Sequence, residues 1–466
     1  MSAPKLKKSK INLLTVSFIV YSYSAVVCFG VEDIVGWGGP GLTFLVLLII
    51  PLIWGVPMAL VSAELTSMYP ETGGIYIWVR NALGEFPGFL AGWWYMLCNL
   101  VATAVFLVLV VSYIENLAGG FSTPVRVLVS SGIVIAIAWI NIRGVGAMGV
   151  SSGLFLFIAL MPFLVATIWG LFQMQYNPFA SFSPPIPADG DLSSFTSYGL
   201  ILGMWMFCGY EAIGSVAEEV EGAYYLIPRS LFIVIPVAII IYLAPTMVGA
   251  AVVGDWSNWG AEAGPGIITY VEMGRIIGGN ALMIAFLISA LFANLAAYNA
   301  YVASNGRFPF VMARDNLFPK SFAKISPKYG TPAIAIAVTS AVNIVLSTQS
   351  FGALLVMSMT LYFIPALLYM LSVLVMRFTK PNQPRPYQVP GGKPVLIIFF
   401  ILVSSLIGLA FWHMTRYELI SGAIGLATGP VAYLFVKWRY GGLSKQELEE
   451  LANPTDPALA TAAGEQ

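Results

Sequence analysis

Long apolar stretches alternate along the chain with short polar or charged segments. A helix needs about 20 apolar residues to cross a bilayer, so each stretch predicts a membrane-spanning helix. Their approximate limits are 13–36, 41–66, 86–112, 122–141, 150–174, 196–217, 230–253, 280–305, 332–348, 352–376, 394–413 and 418–437. The pattern therefore predicts an all-α polytopic membrane protein with about twelve transmembrane helices.

Basic residues fall on alternate connections between these predicted helices. If the N-terminus is placed in the cytoplasm, 19 of the 22 Lys and Arg residues lie in cytoplasmic segments, and only Arg126, Arg275 and Arg416 do not. Cytoplasmic loops carry the excess of Lys and Arg in membrane proteins. The distribution therefore predicts cytoplasmic N- and C-termini, and it supports the number of spans, because a wrong count would scramble it.

The composition narrows the function classes. Charged residues make up only 9% of the 466, too few to cover the surface of a soluble protein. The net charge is zero, so the chain lacks the basic excess of a nucleic-acid-binding protein. Cys28, Cys98 and Cys208 lie far apart and His413 is the only histidine, which excludes a disulfide framework and a structural zinc site. No phosphate-binding GxxxxGK[ST] motif is present. We therefore expect neither an enzyme nor a bound cofactor or metal.

Both ends of the chain are polar. Residues 1–12 are predicted to form an N-terminal tail and residues 439–466 a C-terminal tail, on either side of a membrane domain over 13–438. In the second tail, Ser444 and Glu447 have the spacing of a capping box, which predicts the start of a short surface helix.

Ionisable and polar residues interrupt two of the predicted spans. The first span contains Glu32 and Asp33, and the sixth contains Glu211 beside Gly209. A charged side chain inside the membrane is costly and indicates a functional site. Glu211 is the strongest candidate, because it is deep and no Lys or Arg lies in its span. Glu32 and Asp33 are near the outer end of their span, where simple solvation is an equal alternative.

Two further spans carry polar residues. Tyr95 and Asn99 lie one helical turn apart in the third span, and Asn294 and Asn299 lie in the eighth. Asparagines in membrane helices either line sites or join helices through hydrogen bonds, and the sequence leaves both roles open for the second pair.

The first and sixth positions are related in one class of transporters. Where two five-helix repeats have inverted topology, the interrupted helices stand first in each repeat. The interruptions expose backbone N–H groups, which bind anions, and C=O groups, which bind ammonium groups or cations. The polar clusters in spans one and six therefore have a physical reason to occur together.

Four motifs in order carry a resemblance to a known family. They are EL…YPETGGIY within 64–76, WxFxGxE with AEEV and IPR within 205–229, MARDNLFP with YGTP within 312–332, and RPYQVPGG at 385–392. With them the chain resembles the amino acid–polyamine–organocation (APC) transporter superfamily over about residues 10–440. The resemblance implies two inverted five-helix repeats with broken helices 1 and 6, over about 13–174 and 196–376, plus two extra helices over about 394–437. Together with the short loops, it implies a plasma (inner) membrane location.

The resemblance also implies a function. It is a secondary transporter, or permease, that moves amino acids or polyamines by alternating access, coupled to a proton or sodium ion or working by exchange. A sensor of the same fold with little transport is the alternative. Substrate contacts are implied at Ala25, Val26, Val27, Cys28, Gly30, Tyr95, Asn99, Trp205, Cys208, Gly209, Tyr210 and Asn294, and coupling or gating at Glu32, Trp205 and Glu211.

One departure from the family pattern bears on the substrate. The usual Gly-Ser-Gly-like run, which lets backbone amides approach a carboxylate, is Ala25-Val26-Val27 in this chain. The polyamine branch also lacks that run and has a Gly-hydrophobic-Glu-Asp run, which Gly30-Val31-Glu32-Asp33 resembles. In helix five, Leu160-Met161-Pro162-Phe163 also resembles that branch. Helix five has no lysine to replace a sodium ion, so we expect that a buried acid such as Glu211 carries a proton.

Overall fold

The computed structural model describes residues 6–24, 29–118, 120–179, 200, 202–260, 267–349, 351–444 and 446–447. Within these ranges the regular structure is helical, and the only β-type pairings are two isolated bridges, Ser9 with Val220 and Trp259 with Ile268. The prediction of an all-α polytopic membrane protein is confirmed.

Fourteen α-helices are distinguished in the described ranges. They are α1 (Leu13–Ser24), α2 (Val31–Ile50), α3 (Val56–Met68), α4 (Ile75–Leu83), α5 (Glu85–Leu117), α6 (Thr123–Ile142), α7 (Val145–Gly170), α8 (202–206), α9 (Ala223–Val253), α10 (Tyr270–Arg314), α11 (Ala333–Leu346), α12 (Phe351–Thr379), α13 (Gly392–His413) and α14 (Arg416–Tyr440). A π-helical segment, Pro51–Gly55, joins α2 to α3, and a 3₁₀ helix, Tyr210–Glu219, follows α8.

Nine helices in the described residues are long and apolar enough to span a bilayer. They correspond to nine of the twelve predicted spans. The other three are the first, the sixth and the ninth. The first and sixth are interrupted, and the ninth is the apolar helix α11 of 14 residues.

The first predicted span consists of α1 and the beginning of α2. Gly30 caps the start of α2 with a φ of 106°, a conformation that residues with a Cβ rarely adopt. The second predicted span begins inside α2, where Gly39 has non-helical backbone angles before Pro40. The connection between the first two spans is therefore a sharp kink at Gly39, because proline removes a helical hydrogen bond and glycine tolerates the positive φ.

The sixth span is broken near its middle. The helical residues 202–206 end before Phe207, Cys208 and Gly209, and the chain continues as the 3₁₀ helix Tyr210–Glu219. Gly209 has a φ of 91°. Spans one and six are therefore both discontinuous, as the resemblance implied.

Helices α5 and α12 form the interior of the bundle together with residues 296–313 of α10, all of which are buried. The membrane-spanning windows of α5 and α12 are each 72% buried, whereas those of α13 and α14 are 22% and 17% buried. The outer helices present large apolar side chains such as Trp412 and Trp438 to the surroundings, which is the surface expected in a lipid bilayer. Side chains from α5, α10 and α12 are therefore the ones placed to reach the two helix breaks.

Small residues allow the short helix α4 to pack on α5. A Cβ added to Gly88 would lie 2.6 Å from the Cβ of Arg80, and one added to Gly92 would lie 2.8 Å from the ring of Tyr76. Gly88 and Gly92 therefore allow close helix packing, the usual role of glycine in membrane helices. Gly84, which precedes them, instead ends α4 with a φ of 97°.

Candidate functional site

The break in the sixth span lies directly against α1 and α10. A Cβ on Gly209 would overlap the backbone carbonyl oxygen of Tyr23 and lie 2.8 Å from the hydroxyl of Tyr301. Only glycine fits there, because it has no Cβ and tolerates the positive φ. The hydroxyl of Tyr301 donates to the Tyr23 carbonyl at 3.0 Å, so α10 holds the end of α1 beside the break.

Glu211 lies just after this break and is 1% exposed. Its Oε1 accepts a hydrogen bond from the hydroxyl of Tyr95 on α5 at 2.8 Å. Its Oε2 is buried and accepts no hydrogen bond in the described part of the chain. A buried polar atom without a partner is costly, so this oxygen is a candidate ligand-binding atom.

Aromatic side chains from two further helices surround Glu211. The ring of Tyr362 on α12 stands 6.1 Å from that of Tyr95, and its buried hydroxyl lies beside the carboxylate of Glu211. Tyr95 also contacts Phe308 of α10 edge to face. Helices α5, α10 and α12 thus surround the carboxylate. The described residues contain no group of three or more His, Cys, Asp or Glu side chains that could hold a metal ion.

Aromatic rings form one wall beside the break. Trp205 is stacked on Phe106 of α5 at 5.9 Å, and Phe106 contacts Tyr301 at 5.5 Å. Trp205 is only partly buried, whereas Phe106 and Tyr301 are buried. The indole is therefore the least buried of the three rings, and an indole face can bind a cation.

A polar cluster joins α5 to α10. The side-chain amide of Asn305 donates to the hydroxyl of Thr103 at 2.7 Å, and that hydroxyl donates to the carbonyl of Asn99. The buried amide nitrogen of Asn99 and the buried amide oxygen of Asn305 have no partner in the described ranges. Asn99 therefore retains a free donor.

The structure brings some of the predicted site residues together and separates others. Tyr95 contacts Glu211, and the thiol of Cys208 donates to the carbonyl of Trp205 at 3.0 Å. Asn294 donates its amide to Ala290 of its own helix. Tyr210 packs near the π-helical Gly55. Ala25, Val26, Val27 and Cys28 lie outside the described residues.

Glu32 makes contacts of a different kind. Its Oε2 accepts from the amide of Gly30 at 2.7 Å, and its Oε1 accepts from the amide of Tyr270 at 3.1 Å. The side chain is 1% exposed, so it is not simply solvated at the end of a span. It fastens the start of α2 to the start of α10.

Asn299 joins helices. Its amide nitrogen donates to Ser151 and Ser152 of α7 at 3.0 Å, and its amide oxygen accepts from Asn141 of α6 at 2.9 Å. The sequence left open whether this asparagine lines a site or joins helices, and the structure shows that it joins helices.

Ion pairs close the bundle on the side where the predicted cytoplasmic segments meet. The guanidinium of Arg307 donates to both carboxylate oxygens of Glu219, at 2.7 and 3.0 Å, and both side chains are buried. Two more pairs lie on the same side, Arg80 with Asp315 and Arg314 with Glu218. These pairs connect the 3₁₀ helix of span six, α4 and the end of α10.

Aromatic packing closes the opposite side. Phe29 lies edge to face against Phe163 at 5.4 Å and against Tyr270 at 6.0 Å, and Phe163 contacts Phe286 at 4.9 Å. The break near Glu211 thus stands between an ion-paired layer and an aromatic layer.

Several residues of the site were not predicted. Tyr301, Tyr362 and Phe106 are aromatic residues in apolar helices, and the sequence gives no signal that separates them from ordinary core residues. Arg307 and Glu219 carried a signal that was overlooked, because a basic residue at the end of span eight and an acid after span six could have been paired.

Comparison with known proteins agrees with this architecture. The family described as "Amino acid permease" matches residues 11–430 of the chain. The match covers all the elements of the site.

Individual relatives carry two kinds of names. The polyamine transporter PUT1 of Oryza sativa subsp. japonica is 27% identical, over 92% of this chain and 80% of that protein. The low-affinity putrescine importer PlaP of Escherichia coli is 26% identical, over 64% of this chain and 67% of its own. The b(0,+)-type amino acid transporter 1 of Mus musculus is 24% identical, over 82% and 78%.

Proposed function

The chain belongs to the amino acid permease family, and we propose that it is a secondary transporter of small organic amines. Polyamines, with putrescine as the simplest probe, are the class that the site favours. The cargo moves by alternating access between the ion-paired layer and the aromatic layer. The proposal rests on the buried Oε2 of Glu211, which lacks a partner among the described residues beside the break in span six.

Glu211 is suited to bind an ammonium group. A protonated amine offers up to three N–H donors and a positive charge, and a charge-assisted hydrogen bond is about twice as strong as a neutral one. Tyr95 already donates to Oε1 and orients the carboxylate, which leaves Oε2 for the cargo. The hydroxyl of Tyr362, beside the carboxylate, has oxygen lone pairs that can accept a second N–H donor of the same ammonium.

The aromatic wall supplies a second point of recognition. A linear diamine has a cation at each end and a methylene chain between them. The face of Trp205, supported from behind by Phe106, attracts a cation and covers methylene groups. Such a site can hold a diamine, and it needs no group that binds a carboxylate.

Two arguments favour polyamines over amino acids. Ala25-Val26-Val27 replaces the glycine-containing run that lets backbone amides approach a carboxylate. Two of the three relatives named above are a polyamine transporter and a putrescine importer. The third is an amino acid transporter, so amino acids are the competing class in the experiment.

We further propose that a proton couples to transport through Glu211 and that both termini are cytoplasmic in a plasma (inner) membrane. The grouping of ion pairs supports this orientation. The pairs formed by Arg80, Arg307 and Arg314 all lie on the same side of the bundle, where the predicted cytoplasmic segments meet. Arg126 and Arg275, which were predicted on the other side, pair with Glu115 at the end of α5 and with Glu272 of α10.

Counterflow in proteoliposomes tests the proposal. Vesicles are loaded with putrescine, spermidine, agmatine or single amino acids, and entry of labelled putrescine is followed with and without a proton gradient. We expect counterflow with carboxylate-free amines. In Glu211→Gln the affinity for putrescine should fall about 10- to 100-fold, which corresponds to the free energy of a hydrogen bond to a charged group.

A matched variant separates the specific effect of removing Glu211 from the general effect of removing one negative charge. Glu115→Gln removes an acid that pairs with Arg126 at 3.3 Å, away from the site, and should leave counterflow unchanged. Counterflow by amino acids alone would overturn the choice of cargo. Undiminished putrescine binding in Glu211→Gln would overturn the assigned role of this residue.

A further inference from the structure

A basic cavity lies at one surface of the bundle, apart from the helix breaks. Its volume is about 940 Å³, and it lies between the end of α10, the 3₁₀ helix Lys320–Ala323 and the start of α11. Its lining includes Arg314, Asn316, Lys320, Lys324, Ser326 and Ile334.

The charge of this cavity is of one sign. Arg314, Lys320 and Lys324 line it, and no acidic residue does. Arg314 is engaged by Glu218 at 3.1 Å, but neither lysine has an ion-pair partner among the described residues. Both lysines are exposed, so the cavity offers two uncompensated cations to an anion.

The rest of the lining is apolar and continues into a membrane helix. Ala333 and Ile334 begin α11, an apolar helix, and Ile334 is 40% exposed on the outside of the bundle. Ala323 and Ile325 extend this surface beside the lysines. The cavity therefore crosses the boundary between charged and apolar surface, which is where the headgroup region of a bilayer meets its hydrocarbon.

We propose that this cavity binds the headgroup of an anionic phospholipid from the surrounding bilayer. The phosphate lies between Lys320 and Lys324, and Asn316 and Ser326 supply hydrogen-bonding groups. An acyl chain follows the apolar surface of Ile325 and Ile334. Basic pockets between membrane helices are suited to such headgroups because the charge and the adjoining apolar surface are both matched.

The site has a mechanical connection to the ion-paired layer. Arg314, on the rim of the cavity, holds Glu218 of the 3₁₀ helix that follows the break. The carbonyl of Asn316 accepts from the amide of Gly442 at 3.2 Å, so the segment after α14 also contacts the rim. A lipid bound here adds contacts to the closed arrangement of that layer.

Native mass spectrometry of the purified full chain tests the proposal independently of the cargo. The protein is titrated with phosphatidylglycerol or phosphatidylcholine, and bound lipid is counted. We expect preferential retention of phosphatidylglycerol, and a fall in its affinity of about 10- to 30-fold in the double variant Lys320→Gln/Lys324→Gln. The control, Lys8→Gln/Lys393→Gln, removes two exposed charges outside the cavity and should bind as the unmodified protein does.

A second arm distinguishes a lipid from a soluble phosphate. Glycerol 3-phosphate at millimolar concentration should not displace phosphatidylglycerol, because it lacks the acyl chains. Equal retention of both lipids, equal loss in the two double variants, or displacement by glycerol 3-phosphate would each overturn the proposal. Since the readout is binding, these outcomes leave the proposed amine transport unaffected.

Discussion

The hydroxyl of Tyr301 donates to the backbone carbonyl of Tyr23 at 3.0 Å, and the two rings meet edge to face at 5.5 Å. This contact joins α10 to the last turn of α1. Gly209, at the break of span six, lies against the same two groups. Three elements of the candidate site therefore meet at one point, where no side chain can be added.

Gly209→Ala should abolish transport. The new methyl group would overlap the carbonyl of Tyr23, and the φ of 91° is unfavourable for alanine. Counterflow of labelled putrescine measures the effect. Gly408→Ala is the control, because Gly408 has nothing within 4 Å of an added Cβ and lies inside α13. It should keep full activity, and equal loss in both variants would contradict the explanation.

Tyr95→Phe should weaken amine binding through Glu211 without altering the packing. The ring contacts with Phe308 and Tyr362 remain, but the hydrogen bond to Oε1 is lost. We expect KM for putrescine to rise about 10-fold, within the range for a hydrogen bond to a charged group. The maximal rate should change less than KM. A fall in folded yield with an unchanged KM would show that Tyr95 is only a packing residue.

Trp205→Leu tests the aromatic wall. Loss of a cation–π contact of about 0.5–2 kcal/mol should raise KM for putrescine about 2- to 30-fold. Trp205→Phe keeps an aromatic face and should restore most of the affinity. If the leucine and phenylalanine variants had the same KM, stacking on a cation would not be the role of this residue.

Arg307→Met should destabilise the folded protein strongly. It leaves Glu219 buried without a partner, and breaking a buried ion pair costs about 3–5 kcal/mol. Thermal unfolding in detergent, followed by size-exclusion chromatography, measures the loss. The double variant Arg307→Met/Glu219→Leu removes both charges and should recover part of it.

The exposed pair Arg275 with Glu272 provides the comparison for that experiment. Arg275→Met should leave thermal unfolding unchanged, because ion pairs at an exposed surface contribute little. A loss as large as in Arg307→Met would show that burial is not the cause.

The sequence predicted the membrane spans well because hydrocarbon imposes a simple length and polarity on each helix. Nine of the predicted spans are found as long apolar helices. The two interrupted spans were also indicated, by glycines and acids inside apolar stretches. The reciprocal hydrogen bonds of Ser444 and Glu447 confirm the predicted capping box.

The partners of the polar residues could not be predicted in the same way. Sequence spacing shows that Tyr95 and Asn99 share a helix face, but the contact of Tyr95 with Glu211 joins residues 116 positions apart. Asn294 and Asn299 looked equivalent, yet one bonds to its own helix and the other joins three helices. Such choices depend on which helices are neighbours and how they are rotated.

The sequence by itself determined that the chain is a helical membrane protein, that polar residues interrupt its first and sixth spans, and that Glu211 lies in an apolar stretch. These properties follow from local composition, because transfer into lipid acts on each segment separately. Only the tertiary structure decided that Oε1 of Glu211 is taken by Tyr95 while Oε2 is free, and that Glu32 fastens α2 to α10. Those outcomes depend on the relative positions of side chains from distant helices, which packing fixes and local sequence does not.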